Sequence, residues 1–275
     1  MFPDLEKADF NSTRNWLNQQ LGVSWHYDNK SETSRGLANS TIAIRNEEAL
    51  YFLKTFFDLD AQQRELVSLK LLGEKGFEAP RIVAADTRNI LITSVGVPLR
   101  SRERAEEWLV RIGMRLRQLH ELDTSKLSFH RFSASQADRL NRRLHKHFRG
   151  LSLRSSFLHG DITWSNTVLN DSDQIVLIDF EEAGLGHPLV DLSIAAVECC
   201  WNEFGADGLE AAISNLALGY DDPAITDMLL VGDPETGISA CELAAEELLT
   251  WSSKHGEFML SEKYICFINY LRKGK

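Results

Sequence analysis

Asp161 and Asn166 stand five residues apart just after a short apolar run, and Asp179 follows Asn166 by 13 residues at the end of a longer one, residues 175–178. Three oxygen-bearing side chains are thereby expected at strand ends and in a short loop. That set suits phosphoryl transfer, which needs a base for the attacking hydroxyl and hard oxygen ligands for Mg²⁺.

The elements that must position them can be read outward from this stretch. Residues 1–20 read as a polar helical lead-in around Phe10, Trp16 and Leu17. Val23, Trp25 and Tyr27 alternate with polar neighbours, as in a strand. A second strand is expected over 41–44, a turn over 45–48 and a third strand over 50–54. Asp60 is the expected N-cap of a helix whose apolar face is Leu66, Leu69 and Leu72, with Gln63 in a near capping box and Gly73 or Gly76 at the end. Strands follow at 81–85 and 89–93. Three strands, a helix and two strands predict a five-stranded antiparallel sheet with one packed helix.

Residues 94–98 break the pattern, and the boundary between two lobes, 1–95 and 96–275, is placed there. Ala105, Trp108, Leu109, Ile112, Leu116 and Leu119 then recur at helical spacing up to His120. Residues 136–149 carry Arg139, Arg142, Arg143, Lys146 and Arg149, read as a solvated helix face, with an anion or nucleic-acid patch as the sharper alternative. From 193 onward helical patterns dominate. The predicted fold class is therefore α+β: a small sheet-bearing lobe and a mostly helical one.

Composition narrows the function. The chain has 275 residues and a net charge of −10, unevenly spread: residues 151–275 hold 6 Lys and Arg against 21 Asp and Glu, while residues 1–150 hold 24 against 19. An acidic second half reads either as solvated surface charge or as a preference for a cationic substrate, and it argues against DNA or RNA there. No apolar run reaches the roughly 18–20 residues that span a bilayer, and the start lacks the pattern of a signal peptide. Four cysteines without a C-x-x-C spacing read as reduced thiols in a cytoplasmic protein.

His159-Gly160-Asp161-x₄-Asn166 followed by Ile178-Asp179-Phe180-Glu181 resembles the aminoglycoside phosphotransferase and choline kinase superfamily, small-molecule kinases of protein-kinase-like fold. Gly186-x-Pro188-x-x-Asp191-Leu192 and Leu116-x-x-Leu119-His120 carry the same resemblance, and Gly36-x-x-Asn39-Ser40, Lys54 and Glu65 match the nucleotide-binding lobe more loosely. It spans residues 36–192. It implies that Asp161 accepts or orients the proton of the attacking hydroxyl and that Asn166 and Asp179 hold Mg²⁺. It also implies that Lys54 reaches the phosphates of ATP or GTP, steadied by Glu65, and that backbone N–H groups near Asn39 and Ser40 cap them. His159 and Asp191 would support the loop, and the nucleotide would lie near residues 94–98. Glu181 is left open between an indirect Mg²⁺ contact and a structural acceptor, and Trp164 between packing and substrate stacking.

The expected activity is transfer of a γ-phosphate to a hydroxyl of a small molecule, with an amine-bearing acceptor such as an aminoglycoside favoured by the acidic half. Glu198, Glu203, Asp207, Glu242, Glu246 and Glu247 are the candidates for holding the amine. Two alternatives stand beside it: an atypical protein serine/threonine kinase, and a nucleotide-binding pseudokinase or scaffold. Only 12 residues separate Asp179 from Asp191, which leaves little room for a peptide-seating segment and weighs against the first. The complete set Lys54, Glu65, Asp161, Asn166 and Asp179 weighs against the second.

Overall fold

Leu53 and Lys54, neighbours on one strand, point to opposite faces of a sheet, as the two-residue period of a strand requires. In the computed structural model the sheet consists of β1 (His26–Tyr27), β2 (Ser34–Arg35), β3 (Asn39–Arg45), β4 (Leu50–Phe56), β5 (Ile82–Ala85) and β6 (Asn89–Thr93), with α1 (Leu59–Glu74) between β4 and β5. The antiparallel order is β1-β3-β4-β6-β5, and β2 is an added short strand on β3. Ile42 pairs with Leu53, and Leu53 with Leu91. These three cluster with Leu17, Trp25 and Ile44 in one core. The structure describes residues 16–273 except 20, 23–24, 28–33, 36–38, 48, 100–103, 126–128, 130–131, 149–154, 223 and 232–237. The expectations for Phe10, Val23, Gly36 and Arg149 lie outside the described residues.

The five expected strands are present, and the helix is capped two residues earlier than expected. Asp58, not Asp60, is the N-cap: its carboxylate accepts the N–H groups of Asp60 at 2.8 Å and Ala61 at 3.3 Å. Asp60 is already inside the first turn, where a negative charge favours the helix dipole.

The chain divides into two compact units, Met1–Val95 and Gly96–Lys275. The second contains β7 (Val97–Pro98), α2 (Ala105–His120), α3 (Gln136–His147), β8 (Ser156–Leu158), β9 (Thr167–Leu169), β10 (Ile175–Leu177) and β11 (Gly184–Gly186). Then come α4 (Leu189–Ala195), a π-helical turn (Ala196–Trp201), α5 (Asn202–Tyr220), α6 (Ala224–Leu230), α7 (Ala240–His255) and α8 (Phe258–Lys273). Helices α2 and α5 cross at two glycines. A Cβ on Gly113 would stand 2.2 Å from the Leu216 carbonyl, and one on Gly219 1.9 Å from that of Val110. Only bare backbone fits there, and the close crossing carries His120 inward.

The basic face of α3 is not simply solvated. Arg139 pairs with Glu247 at 2.6 Å, and Arg143 pairs with Glu246, both on α7. Arg272 on α8 joins them through Glu242 and Glu246, each at 2.6 Å. Opposite charges on neighbouring helices, spaced to meet, draw two of the expected surface arginines, with Arg272, into an interhelical network. No helix among the described residues is long and apolar enough to cross a membrane, and all four cysteines are free.

Candidate active site

In the first unit, Lys54 on β4 and Glu65 on α1 are both buried and form an ion pair of 2.5 Å. The alternation that sends Leu53 into the core cluster sends Lys54 toward α1. Asn39 and Ser40 stand in β3 and not in a loop. Ser40 pairs with Thr55 and Arg35, and the Asn39 side-chain oxygen accepts from the Thr41 hydroxyl at 3.0 Å.

In the second unit two hairpins bring the remaining residues together. β9 and β10 pair with Thr167 opposite Leu177, so the next rung sets Asn166 beside Ile178, whose N–H donates to the Asn166 carbonyl at 3.0 Å. Asp179 follows immediately, at φ 69°, a left-handed conformation that Asp tolerates better than most side chains. β8 and β11 pair with Leu158 opposite Gly184. Gly160 lies just beyond, at φ 86°; a Cβ there would sit 2.1 Å from the Glu182 carbonyl. The glycine is therefore required by both conformation and space.

Asp161 projects from this junction. The Asn166 amide donates to its carboxylate at 2.8 Å and to its carbonyl at 3.0 Å. Both amide hydrogens are thus committed, and the amide oxygen is the side-chain atom left to meet any metal ion. Burial, then the charges of Asp179, Glu198 and Glu182, push the Asp161 carboxyl well above the usual carboxylate range. A carboxylate oxygen of Asp179 and one of Glu181 lie within 4.8 Å of each other.

Asp191 at the first turn of α4 is wholly buried and holds the loop from behind. It accepts the backbone N–H groups of His159 and Gly160, each at 2.8 Å, and Nε2 of His120 at 3.0 Å. Nδ1 of His120 meets the Tyr220 hydroxyl at 3.0 Å. Burial alone would raise the Asp191 carboxyl, but the hydrogen bond from His120, the two imidazoles and the backbone donor outweigh it and hold it below the usual range. Nδ1 of His159 accepts the Asp161 N–H at 3.2 Å, so Nε2 carries the hydrogen donated to the Ile178 carbonyl at 2.9 Å. One ring ties the loop to the strand end that precedes Asp179.

Gln136 and the π-helical form of residues 196–201 escaped the sequence, although Glu198 in that turn was among the acidic candidates. Gln136, the first residue of α3, donates its side-chain amide to the Gly160 carbonyl at 3.1 Å, while its backbone N–H meets the Glu182 carboxylate. The π-helical turn after α4 carries Glu198, which accepts the Tyr264 hydroxyl at 2.5 Å and the Asn202 amide at 2.9 Å. Burial raises the Glu198 carboxyl, and these two bonds act against the rise. A π turn has no periodic signature in Ala196-Val197-Glu198-Cys199-Cys200-Trp201, and a helix-starting Gln looks like any other. Of the six acidic candidates for the acceptor, Glu242, Glu246 and Glu247 are engaged by arginines; Glu198 bears on Asp161.

Residues 133–229, which include the loop, Asp191 and the π turn, match the model of the Phosphotransferase enzyme family. No curated protein matches the chain in sequence. Among solved structures, choline kinase from Cryptosporidium parvum is similar with a TM-score of 0.64 at 14% identity, covering 98% of this chain and 95% of that one. Macrolide 2'-phosphotransferase MphH from Brachybacterium faecium gives 0.57 at 17%, covering 95% and 98%. The streptomycin-ATP complex of APH(2")-IIa gives 0.60 at 16%, covering 92% and 94%. These likenesses show the protein-kinase-like fold, and the family match covers the segment that carries Asp161, Asn166 and Asp179.

Proposed function

We propose that the chain moves the γ-phosphate of ATP or GTP to a hydroxyl of an amine-bearing small molecule, an aminoglycoside or a simpler amino alcohol. The observation that carries this reading is the Asp161 carboxylate, fixed by the Asn166 amide at 2.8 Å and within the electrostatic reach of Asp179 and Glu198. Asp161 orients the acceptor hydroxyl and takes its proton as the bond to phosphorus forms; a raised affinity for protons suits that task. The Asn166 amide oxygen and the Asp179 carboxylate, with Glu181 nearby, are the hard donors that would hold Mg²⁺. When bound, that ion neutralises charge on the nucleotide phosphates. Lys54, held by Glu65, supplies the phosphate-binding ammonium of the first unit. His159, Asp191 and Gln136 keep the loop in shape and touch no reacting atom.

An amine on the acceptor is supported by the π turn. Glu198 is a half-buried carboxylate that accepts from two neutral donors, Tyr264 and Asn202, with the charge of Lys263 bearing on it, and the neighbouring Asn202 side-chain oxygen is buried with no hydrogen-bond partner among the described residues. A buried acceptor without a donor, beside a carboxylate met by neutral donors, suits a ligand that donates. Such a ligand would present an ammonium to Glu198 and a hydroxyl to Asp161. A cytoplasmic setting fits the free cysteines. Against the protein-kinase alternative, β11 and α4 occupy the short interval between Asp179 and Asp191.

The test is a coupled assay of nucleotide consumption with purified protein against aminoglycosides, amino alcohols, choline analogues, neutral sugars and a protein panel. Magnesium-dependent turnover with amine-bearing alcohols is expected. Transfer to proteins alone, or nucleotide binding without turnover on any acceptor, would overturn the reading.

A further inference from the structure

Trp164 sits in the turn between Asp161 and Asn166. Its indole N–H donates to the Cys199 carbonyl at 3.2 Å. The Cys199 thiol donates back to the Ile162 carbonyl at 3.9 Å. Loop and π turn are thus joined by two bonds, and their end points are next in sequence to the two carboxylates of interest: Ile162 to Asp161, and Cys199 to Glu198. A thiol is a weak donor, so the indole N–H is the stronger tie. The loop's other anchors grip residues 159 and 160 through Asp191 and Gln136, or close the turn on itself through Asn166 and Thr167, whereas the bonds of Trp164 and Cys199 reach the π turn.

We propose that Trp164 is a positioning residue that fixes the separation between Asp161 and Glu198, and so selects acceptors by the distance between their amine and their hydroxyl. The inference rests on the reading of Asp161 as base and Glu198 as amine partner. If those two groups engage the two ends of one molecule, the gap between them is a ruler. A small error in that gap misaligns the hydroxyl, and displacements on the order of 1 Å in a reacting pair are costly. Neither packing alone nor stacking on substrate requires the indole N–H to point at a backbone carbonyl of the π turn.

Trp164→Phe keeps the ring and removes the donor. It is to be compared with the parent on a homologous series of ω-amino alcohols, with kcat and KM for each, KM for ATP and Tm. In parallel, hydrogen exchange of residues 196–201 is followed without substrate. The loss of one such bond is expected to lower kcat/KM for the best acceptor roughly 3–10-fold. It should also change the ranking of chain lengths, leave KM for ATP and Tm near the parent values, and speed exchange in the π turn. A profile across the series that keeps its shape overturns the proposal, whether or not all rates fall together, because a merely structural role scales every acceptor alike. Unchanged exchange at 196–201 overturns it as well. If the parent phosphorylates no acceptor of any kind, the kinase reading itself has failed, and faster or unchanged exchange still decides whether Trp164 couples loop to turn.

Discussion

Asp191 receives the N–H groups of His159 and Gly160 and the ring of His120, whereas Asp161 receives one side-chain amide and faces the charges of Asp179, Glu198 and Glu182. Both carboxylates belong to the same few turns of chain. The first is surrounded by donors, held below the usual carboxylate range and inert; the second is surrounded by acceptors and raised. Burial raises both carboxyls, and the difference teaches that donor count decides which of the two is held down and which stays raised. The first unit shows a third arrangement, in which Glu65 answers one ammonium at 2.5 Å on regular secondary structure.

Replacing the group on the reactive side gives the largest expected effect. Asp161→Ala should lower kcat by about 10²–10⁴ while leaving nucleotide affinity and Tm close to the parent, as steady-state kinetics and thermal melts would report. Next, Lys54→Met takes the ammonium from a buried carboxylate and should cost about 3–5 kcal/mol in the first unit. Lys54→Met with Glu65→Met should restore most of that stability in denaturant titrations without restoring nucleotide affinity, which separates the two roles given to Lys54. On the anchoring side, Asp191→Ala leaves the N–H groups of His159 and Gly160 without their acceptor, at about 1–3 kcal/mol each. Its deficit should appear in Tm before it appears in the KM of either substrate. Because the folded Asp191 value is depressed, its stabilisation is present above the unfolded carboxylate value and is lost only as pH falls through the lower folded one.

The smallest effect is expected at Glu198. Glu198→Gln should raise the acceptor KM about tenfold, the usual worth of a hydrogen bond to a charged group, with little change for ATP. The pH response sharpens the contrast. Burial raises Glu198, so on acidification it takes up its proton earlier than an ordinary carboxylate. The KM of a cationic acceptor should therefore climb as pH falls through that raised value, and in Glu198→Gln the same plot should be flat and already high.

The elements whose placement follows from periodicity were legible before any coordinates. The strand expected over 50–54, the helical spacing from Ala105 to Leu119, and Asp161, Asn166 and Asp179 at strand ends needed only local rules. The start of α1 was missed by two residues because Asp58 and Asp60 are equally good caps on paper, and only the φ and ψ of Asp58 decide between them. The arginines of α3 were misread because their partners lie about 100 residues away on α7. The π turn, Gln136 and the indole N–H of Trp164 were not legible as site residues: each acts through backbone carbonyls or N–H groups brought close by the tertiary fold, and side-chain-to-backbone bonds leave no pattern in composition or spacing.

The most direct measurement is phosphorus NMR of the reaction mixture, with ATP, Mg²⁺ and the best acceptor of the panel, for the parent and for Asp161→Ala. A phosphomonoester of the acceptor should grow in step with ADP in the parent and stay absent over the same interval in the variant. A phosphoester formed at equal rates by both proteins, or ADP released with inorganic phosphate and no ester, would contradict a base at Asp161 aiming an alcohol at the γ-phosphate.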